Sequence, residues 1–192
     1  MNIPKPNNKE VQKYLDIWNN NEKWVLQDRC LNKLFLETYP NNTKIEEIII
    51  KANTLNDFYS INNYYIIPTS KHILSLNIDE RLKNGDTSLV ADIADLTTDD
   101  KKIFLYSFAA KYCSFHNPND FPLYDSMVEK ALTYFQEIDR FCKSNEFNLK
   151  NYPLFKNILL EFAESYNINS YSLKQIDMYL WQVGKEYFSS NK

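Results

Sequence analysis

The chain has 192 residues, with 22 lysine and arginine side chains against 25 aspartate and glutamate side chains and a formal net charge of −3. Hydrophobic residues make up 44% of it and aromatic residues 15%, which is enough for a packed core and excludes an intrinsically disordered chain. Two glycines, Gly85 and Gly184, are too few for collagen-like sequence, which needs glycine at every third position, or for glycine-rich phosphate loops, which need positive φ angles.

The first third of the chain predicts three helices. Apolar residues recur at helical spacing on both sides of the asparagines at 19–21, which predicts a helical pair. Residues 39–42 form a stop and turn, and Thr43 with Glu46 at the third following position is typical of a capping box that begins a third helix. Residues 55–67 are rich in β-branched and aromatic side chains but have no partner strand, so we interpret them as an irregular or short helical connection.

The rest of the chain also has the pattern of helices. Several short helices are predicted before residue 96. Thr97 or Thr98 then caps a longer apolar helix, with Asp99 and Asp100 at its positive N-terminal end. Three more amphipathic helices follow, over residues 128–141, 153–166 and 172–188. We therefore predict an all-α fold, with about eight to ten helices in one compact domain over the whole chain.

The cysteines and the N-terminus indicate the cell compartment. Cys30, Cys113 and Cys142 are an odd number at wide spacing, which favours a reducing compartment over a disulfide framework. The first ten residues are polar, and no window approaches the roughly 18 apolar residues of a membrane span. We therefore predict a cytoplasmic protein without a membrane partner.

The sequence has few histidines and cysteines from which to build a metal site or a catalytic nucleophile. The two histidines, His72 and His116, are too few for a histidine-rich metal site or a well-supported catalytic triad. Cys113 lies three positions before His116, but two ligands are not a metal site, and a buried structural thiol is the favoured interpretation. A Cys113 nucleophile is disfavoured because the C-terminal end of a helix opposes a thiolate. We predict no metal and no cofactor.

The segment Pro122-Leu123-Tyr124-Asp125-Ser126-Met127-Val128 places an acid at the start of a helix. The helix dipole and the backbone amides keep Asp125 ionised there. A fixed carboxylate beside a cleft can activate a water molecule or stabilise a developing positive charge. The ordinary alternative is a plain helix N-cap, since aspartate is a favoured cap in any helix.

This arrangement resembles the helix-hairpin-helix DNA glycosylase superfamily, whose catalytic aspartate lies in a Pro-hydrophobic-Asp-Ser/Thr-x-Val type segment that opens a helix. Asp125 matches that aspartate. The resemblance covers residues 43–142, which leaves residues 1–42 and 143–192 as flanking helices. The isoleucines at 48–50 and the polar segment that follows them are similar to the first core helix of the family and to the segment that inserts toward the DNA.

The resemblance implies a monofunctional DNA glycosylase, a DNA repair hydrolase that acts on double-stranded DNA. Such an enzyme extrudes a modified or damaged base, the base leaves through a cationic sugar, and a water positioned by Asp125 attacks. Lyase-competent members instead use a lysine, but the corresponding residues here are Leu105, Tyr106 and Ser107. Lys111, 14 positions before Asp125, or Lys102 would have to replace that lysine.

The resemblance makes Asp125 and Lys111 the candidate catalytic residues. Lys111 also has a plain interpretation as a surface residue of an amphipathic helix. The candidate nucleic-acid contacts are Asn56, Tyr59, Ser60, Lys101, Lys102, Tyr124 and Ser126.

A second hypothesis is a non-catalytic helical module that binds a protein partner. It is favoured by the acidic pI of about 5.5 and by the lack of glycine in the hairpin region, residues 96–102, where the family binds phosphate through glycine amides. A charge map separates the two hypotheses. If the ligand is DNA, basic residues gather around the cleft that holds Asp125, namely Lys51, Lys71, Arg81, Lys101, Lys102 and Lys111.

Overall fold

The computed structural model describes residues 3–98, 101–143 and 146–189. Those residues form ten α-helices, one π-helical segment at Lys33–Thr38, and two short strands. The helices are α1 Asn8–Asn19, α2 Glu22–Asn32, α3 Ile45–Tyr59, α4 Ile66–Leu76, α5 Asp79–Lys83, α6 Leu89–Ala94, α7 Tyr106–His116, α8 Ser126–Asp139, α9 Tyr152–Ser165 and α10 Leu173–Phe188. The predicted all-α class and the predicted number of helices are confirmed. Within the described ranges, no helix combines the length and hydrophobicity that a bilayer crossing needs.

The chain falls into two units of contacting residues. Unit 1 consists of Met1–Val25 together with Pro122–Lys192, and unit 2 consists of Leu26–Phe121. Unit 1 therefore contains α1, α8, α9 and α10, while unit 2 contains α3 to α7. The single domain and its 43–142 core stay predictions.

The helices of unit 1 begin where their sequences provide caps. Asn151 accepts a hydrogen bond from the Leu154 N–H at the start of α9, and Ser172 forms a reciprocal capping box with Gln175 at the start of α10. Behind these caps, Phe162 of α9 packs against aromatic rings on both sides. The centroids lie 5.6 Å from that of Phe135 and 5.2 Å from that of Phe141.

The three tryptophans of the chain form a cluster in unit 1. The Trp24 centroid lies 5.3 Å from the Trp18 ring and 5.1 Å from the Trp181 ring. Lys185, one turn after Trp181 on α10, places its Nζ 4.8 Å from the Trp181 centroid and 5.1 Å from the Trp24 centroid. All three rings are only partly exposed. The cluster therefore packs the residues on both sides of the α1–α2 break against α10.

Unit 2 departs from the predicted elements before its central helix. The helix predicted to start at Thr97 or Thr98 is wrong, because β1 (Asp95–Thr97) and β2 (Lys102–Phe104) form an antiparallel hairpin. Both the N–H and the hydroxyl of Thr98 donate to the Lys101 carbonyl and close the turn. Helix α7 starts only at Tyr106. Asp99 and Asp100, predicted at the positive N-terminal end of that helix, lie outside the described residues.

The third helix is confirmed, but its predicted capping box is wrong. Helix α3 begins at Ile45 with Lys44 as N-cap, and no side chain caps it. The helix continues to Tyr59, where Ser60 takes the left-handed conformation with φ 47°. The connection to α4 is therefore shorter than predicted, because α4 begins at Ile66.

Candidate functional site

Asp125 is the N-cap of α8, as the sequence predicts. Its backbone is extended, with φ −144° and ψ 152°, and its Oδ1 accepts a hydrogen bond from the Met127 N–H at 2.9 Å. The side chain is half-buried at the positive end of a 14-residue helix. The Met127 amide holds the carboxylate in a fixed direction at the start of the helix.

Tyr124 supports this end of α8 from inside unit 1. Its side chain is 3% exposed, and its ring packs edge-on against Phe155 with centroids 5.4 Å apart. Its hydroxyl contacts both the Glu129 carboxylate and the Lys150 ammonium. Lys150 also donates to Glu129 at 2.8 Å and lies 4.7 Å from the Tyr124 centroid. The nucleic-acid contact of Tyr124 stays a prediction, and only 3% of this residue is exposed to make it.

Ser126 opens α8 and is exposed. It lines a pocket of about 450 Å³ along one side of that helix. Two carboxylates, one ammonium group and two aromatic rings line the same pocket, from Glu129, Glu137, Lys130, Tyr134 and Phe188.

The predicted contacts in α3 meet at the connection between α3 and α4. The Asn56 Oδ1 accepts a hydrogen bond from the Asn63 N–H at 2.8 Å, which fixes the connection to the end of α3. Ser60 caps that end and is exposed, and the adjacent Tyr59 ring packs against the Phe115 ring with centroids 6.0 Å apart.

The two predicted lysines of the hairpin lie next to the same connection. Lys101 places its Nζ 4.7 Å from the Tyr65 centroid, and Lys102 forms an ion pair with Asp95 at 2.8 Å. Both lysines are exposed. Apolar side chains also reach solvent here, since Tyr64 is 85% and Phe104 59% exposed. We call Tyr64, Phe104, Lys101 and Lys102 the hairpin surface.

Lys111 is buried, so its interpretation as a surface residue is wrong. It lies on α7, is 2% exposed, and donates to the Ser107 Oγ at 2.8 Å. Its Nζ is 5.3 Å from the Tyr59 centroid. The burial follows from the position of α7, because its residues from Phe108 to Phe115 are all buried within unit 2.

Lys51 is a second buried lysine, although the charge map places it around the cleft that holds Asp125. Its side chain is fully buried, and its Nζ lies within hydrogen-bond distance of four groups. These are the carbonyl oxygens of Tyr39 (3.0 Å) and Asn41 (2.9 Å), Asn42 Oδ1 (2.7 Å) and His116 Nε2 (3.2 Å). The signal was present in the sequence, because Ile48, Ala52 and Leu55 share the helix face of Lys51.

The environment shifts the pKa values of this cluster. Burial lowers the pKa of the Lys51 ammonium to about 8, against the attraction of Asp79 and Glu47. Burial and the Lys51 charge lower the pKa of His116 well below its usual range, so its neutral Nε2 accepts from Lys51. Burial raises the pKa of Cys113, which is therefore a thiol at neutral pH and a poor nucleophile.

The structure divides the predicted site between the two units. Asp125, Tyr124 and Ser126 belong to unit 1, whereas Lys111 and the other predicted contacts belong to unit 2. All six cations of the charge map lie in unit 2, where Lys51 and Lys111 are buried. Arg81 and Lys102 are paired with carboxylates. Across the described ranges, no three His, Cys, Asp or Glu side chains come together as metal ligands.

Comparisons with other proteins give a family. The model of the HI_0787_N N-terminal domain matches residues 10–120. An uncharacterized protein of Haemophilus influenzae is 39% identical over 178 residues, which cover 92% of this chain and 84% of that protein. No solved structure matches the chain.

Proposed function

The chain belongs to the family of the HI_0787 N-terminal domain, and we propose that it is a monofunctional DNA glycosylase of the cytoplasm. Its substrate is double-stranded DNA with a modified or damaged base. After the base is extruded, the enzyme hydrolyses the N-glycosidic bond that joins it to the sugar. The observation that supports this proposal is the Asp125 carboxylate, which the Met127 N–H orients at the start of α8.

The proposed chemistry needs one oriented carboxylate. The N-glycosidic bond breaks with its electron pair going to the base, which leaves a positive charge on the sugar. Asp125 stabilises that charge and accepts a proton from the water that forms the new bond to the sugar. We assign Lys111 no catalytic part, because the residue is 2% exposed and its amine donates to Ser107. The reaction then proceeds without a Schiff base and without a cofactor.

We expect Asp125→Asn to reduce base release at least about a hundredfold, the usual contribution of a general base. The fold should persist, because asparagine is as good an N-cap as aspartate. Single-turnover release from duplexes with modified bases measures the loss, and thermal denaturation checks the fold. Asp16→Asn, an exposed substitution on α1, is the matched control. Full activity of Asp125→Asn on the substrate of the wild type would remove Asp125 from the mechanism.

The hairpin surface is our proposed contact to the DNA backbone. Exposed lysines neutralise phosphates and release counterions, so affinity falls with salt. We expect the double substitution Lys101→Ala, Lys102→Ala to lower the slope of log affinity against log salt by about 2. Binding to a duplex with a stable abasic-site analogue, at several salt concentrations, measures that slope. Lys44→Ala, an exposed lysine at the start of α3, should leave it unchanged.

A second candidate function is a non-catalytic module that binds a protein. It is favoured by the exposed Tyr64 and Phe104 rings, since exposed aromatic side chains are enriched in protein interfaces. The duplex experiment separates the candidates. If the wild type binds neither the abasic-site duplex nor an undamaged one at low salt, the glycosylase proposal fails and the protein-binding module remains.

A further inference from the structure

The segment before Asp125 is held at three consecutive residues by side chains of unit 1. The Tyr152 hydroxyl of α9 donates to the Pro122 carbonyl. The Leu123 N–H donates to Asp177 Oδ2 of α10 at 3.2 Å. The Tyr124 hydroxyl contacts Glu129 and Lys150. Since every residue from 122 to 124 has such a contact, the backbone that leads into Asp125 has little freedom.

Two of these holding groups are buried, which makes them more than incidental surface contacts. Tyr152 is 1% exposed and Asp177 is 6% exposed. Withdrawing a carboxylate from water costs free energy unless hydrogen bonds replace the lost hydration. Asp177 meets that cost in part with the amide of a loop residue 54 positions earlier. The loop conformation and the buried carboxylate therefore depend on each other.

Helix α10 also fixes the chain just after Asp125. A Cβ built on Gly184 would lie 2.2 Å from the Met127 carbonyl oxygen and 2.6 Å from its carbonyl carbon. The backbones of α10 and of the first turn of α8 are therefore in direct contact. Met127 is the residue whose N–H binds the Asp125 carboxylate. Contacts from α9 and α10 thus hold the chain on both sides of Asp125.

We infer that Asp177 is a positioning residue for the Asp125 carboxylate. By accepting the Leu123 N–H it sets the backbone direction two residues before Asp125, and Tyr152 does the same at Pro122. Helices α9 and α10 therefore act as the scaffold of the site and are not merely appended to it. This inference rests on the proposed function, in which Asp125 is the catalytic carboxylate.

The test compares Asp177→Ala with Asp177→Asn, whose amide oxygen can still accept the Leu123 N–H. We expect Asp177→Ala to raise amide hydrogen exchange at Met127 about tenfold. We also expect it to lower single-turnover base release about tenfold or more, with the Kd for an abasic-site duplex within about twofold, because misplacement of a catalytic group reduces rate more than binding. Asp177→Asn should restore both values to within about threefold of wild type.

Tyr152→Phe is the second variant, because Asp177→Ala can fail to fold. It removes only the hydroxyl that holds Pro122, and we expect smaller changes in the same direction. Tyr179→Phe is the matched control and should change neither readout, because Tyr179 is also a buried tyrosine but lies on α10. Folded Asp177→Ala and Tyr152→Phe proteins with wild-type exchange at Met127 would overturn the inference. A loss of activity that comes through Kd alone would overturn it as well. A wild type that releases no base ends the glycosylase proposal alone, and exchange at Met127 then decides the inference.

Discussion

Gly184→Ala is expected to lower the free energy of unfolding by about 3 kcal/mol, at the upper end of what overpacking a core costs. In an ordinary helix this substitution would stabilise the chain by about 1 kcal/mol, because alanine is the better helix former. Here the new Cβ would meet the Met127 carbonyl oxygen at 2.2 Å. That oxygen belongs to the backbone and cannot rotate away, so α8 and α10 must separate. The steric cost exceeds the gain in helix propensity, so the substitution lowers the free energy of unfolding.

Chemical denaturation of the wild type and of the alanine and valine variants at position 184 shows whether the free energy of unfolding rises or falls. If helix propensity decided the outcome, Gly184→Ala would be more stable than wild type. If the contact with Met127 decides it, stability falls from glycine to alanine and falls further for valine. An alanine variant as stable as wild type would contradict the close packing of α10 on α8.

Lys51→Met is expected to lower the free energy of unfolding by about 3 kcal/mol. Methionine has a similar volume, so the loss does not come from a cavity. Replacing a buried charge by an apolar side chain is often neutral, because the desolvation cost of the charge is recovered. The remaining partners decide the case here, since the carbonyl oxygens of Tyr39 and Asn41 face the fully buried Lys51 ammonium and lose that donor. Each buried unpaired acceptor costs about 1–3 kcal/mol.

Urea denaturation at pH 7 measures this loss. Lys44→Met is the matched control, because Lys44 is the N-cap of the same helix, α3, and is exposed. It should change stability by less than about 0.5 kcal/mol. Equal effects of the two substitutions would show that the Lys51 contacts contribute nothing specific.

We also expect the difference in stability between wild type and Lys51→Met to depend on pH. The pKa of Lys51 is about 8 in the folded chain, below its ordinary value of 10.5. Between these values the unfolded chain binds more protons, so the stability of the wild type rises with pH. The gap between wild type and Lys51→Met should therefore widen, by up to about 3 kcal/mol, from pH 8 to pH 10.5. Subtracting the two curves removes every other titrating group, and a flat difference would contradict the lowered pKa.

The sequence predicts the local elements of this chain well because their signals are local. The start of α8 follows from Asp125, a cap residue within one turn of the helix that it begins. The hairpin before α7 was missed because two three-residue strands are too short to show alternation. Threonine is favoured both at helix N-caps and in strands, so Thr97 and Thr98 do not tell the two apart.

The environment of the site could not be predicted, because it depends on contacts between distant positions. Leu123 binds a carboxylate 54 residues later, and no spacing rule connects the two. The buried lysines were missed for another reason. Because lysine is exposed in most proteins, the charge map includes Lys51 and Lys111, although both lie on buried faces of their helices.

The tryptophan cluster gives the molecule a built-in optical label. Because Trp18, Trp24 and Trp181 all belong to unit 1, tryptophan emission reports on that unit, while helical circular dichroism reports on both. If the two signals change at the same denaturant concentration, the units unfold as one cooperative body. If emission changes separately, unit 2 has a stability of its own, and the fluorescence of the chain follows the environment of the Asp125 scaffold alone.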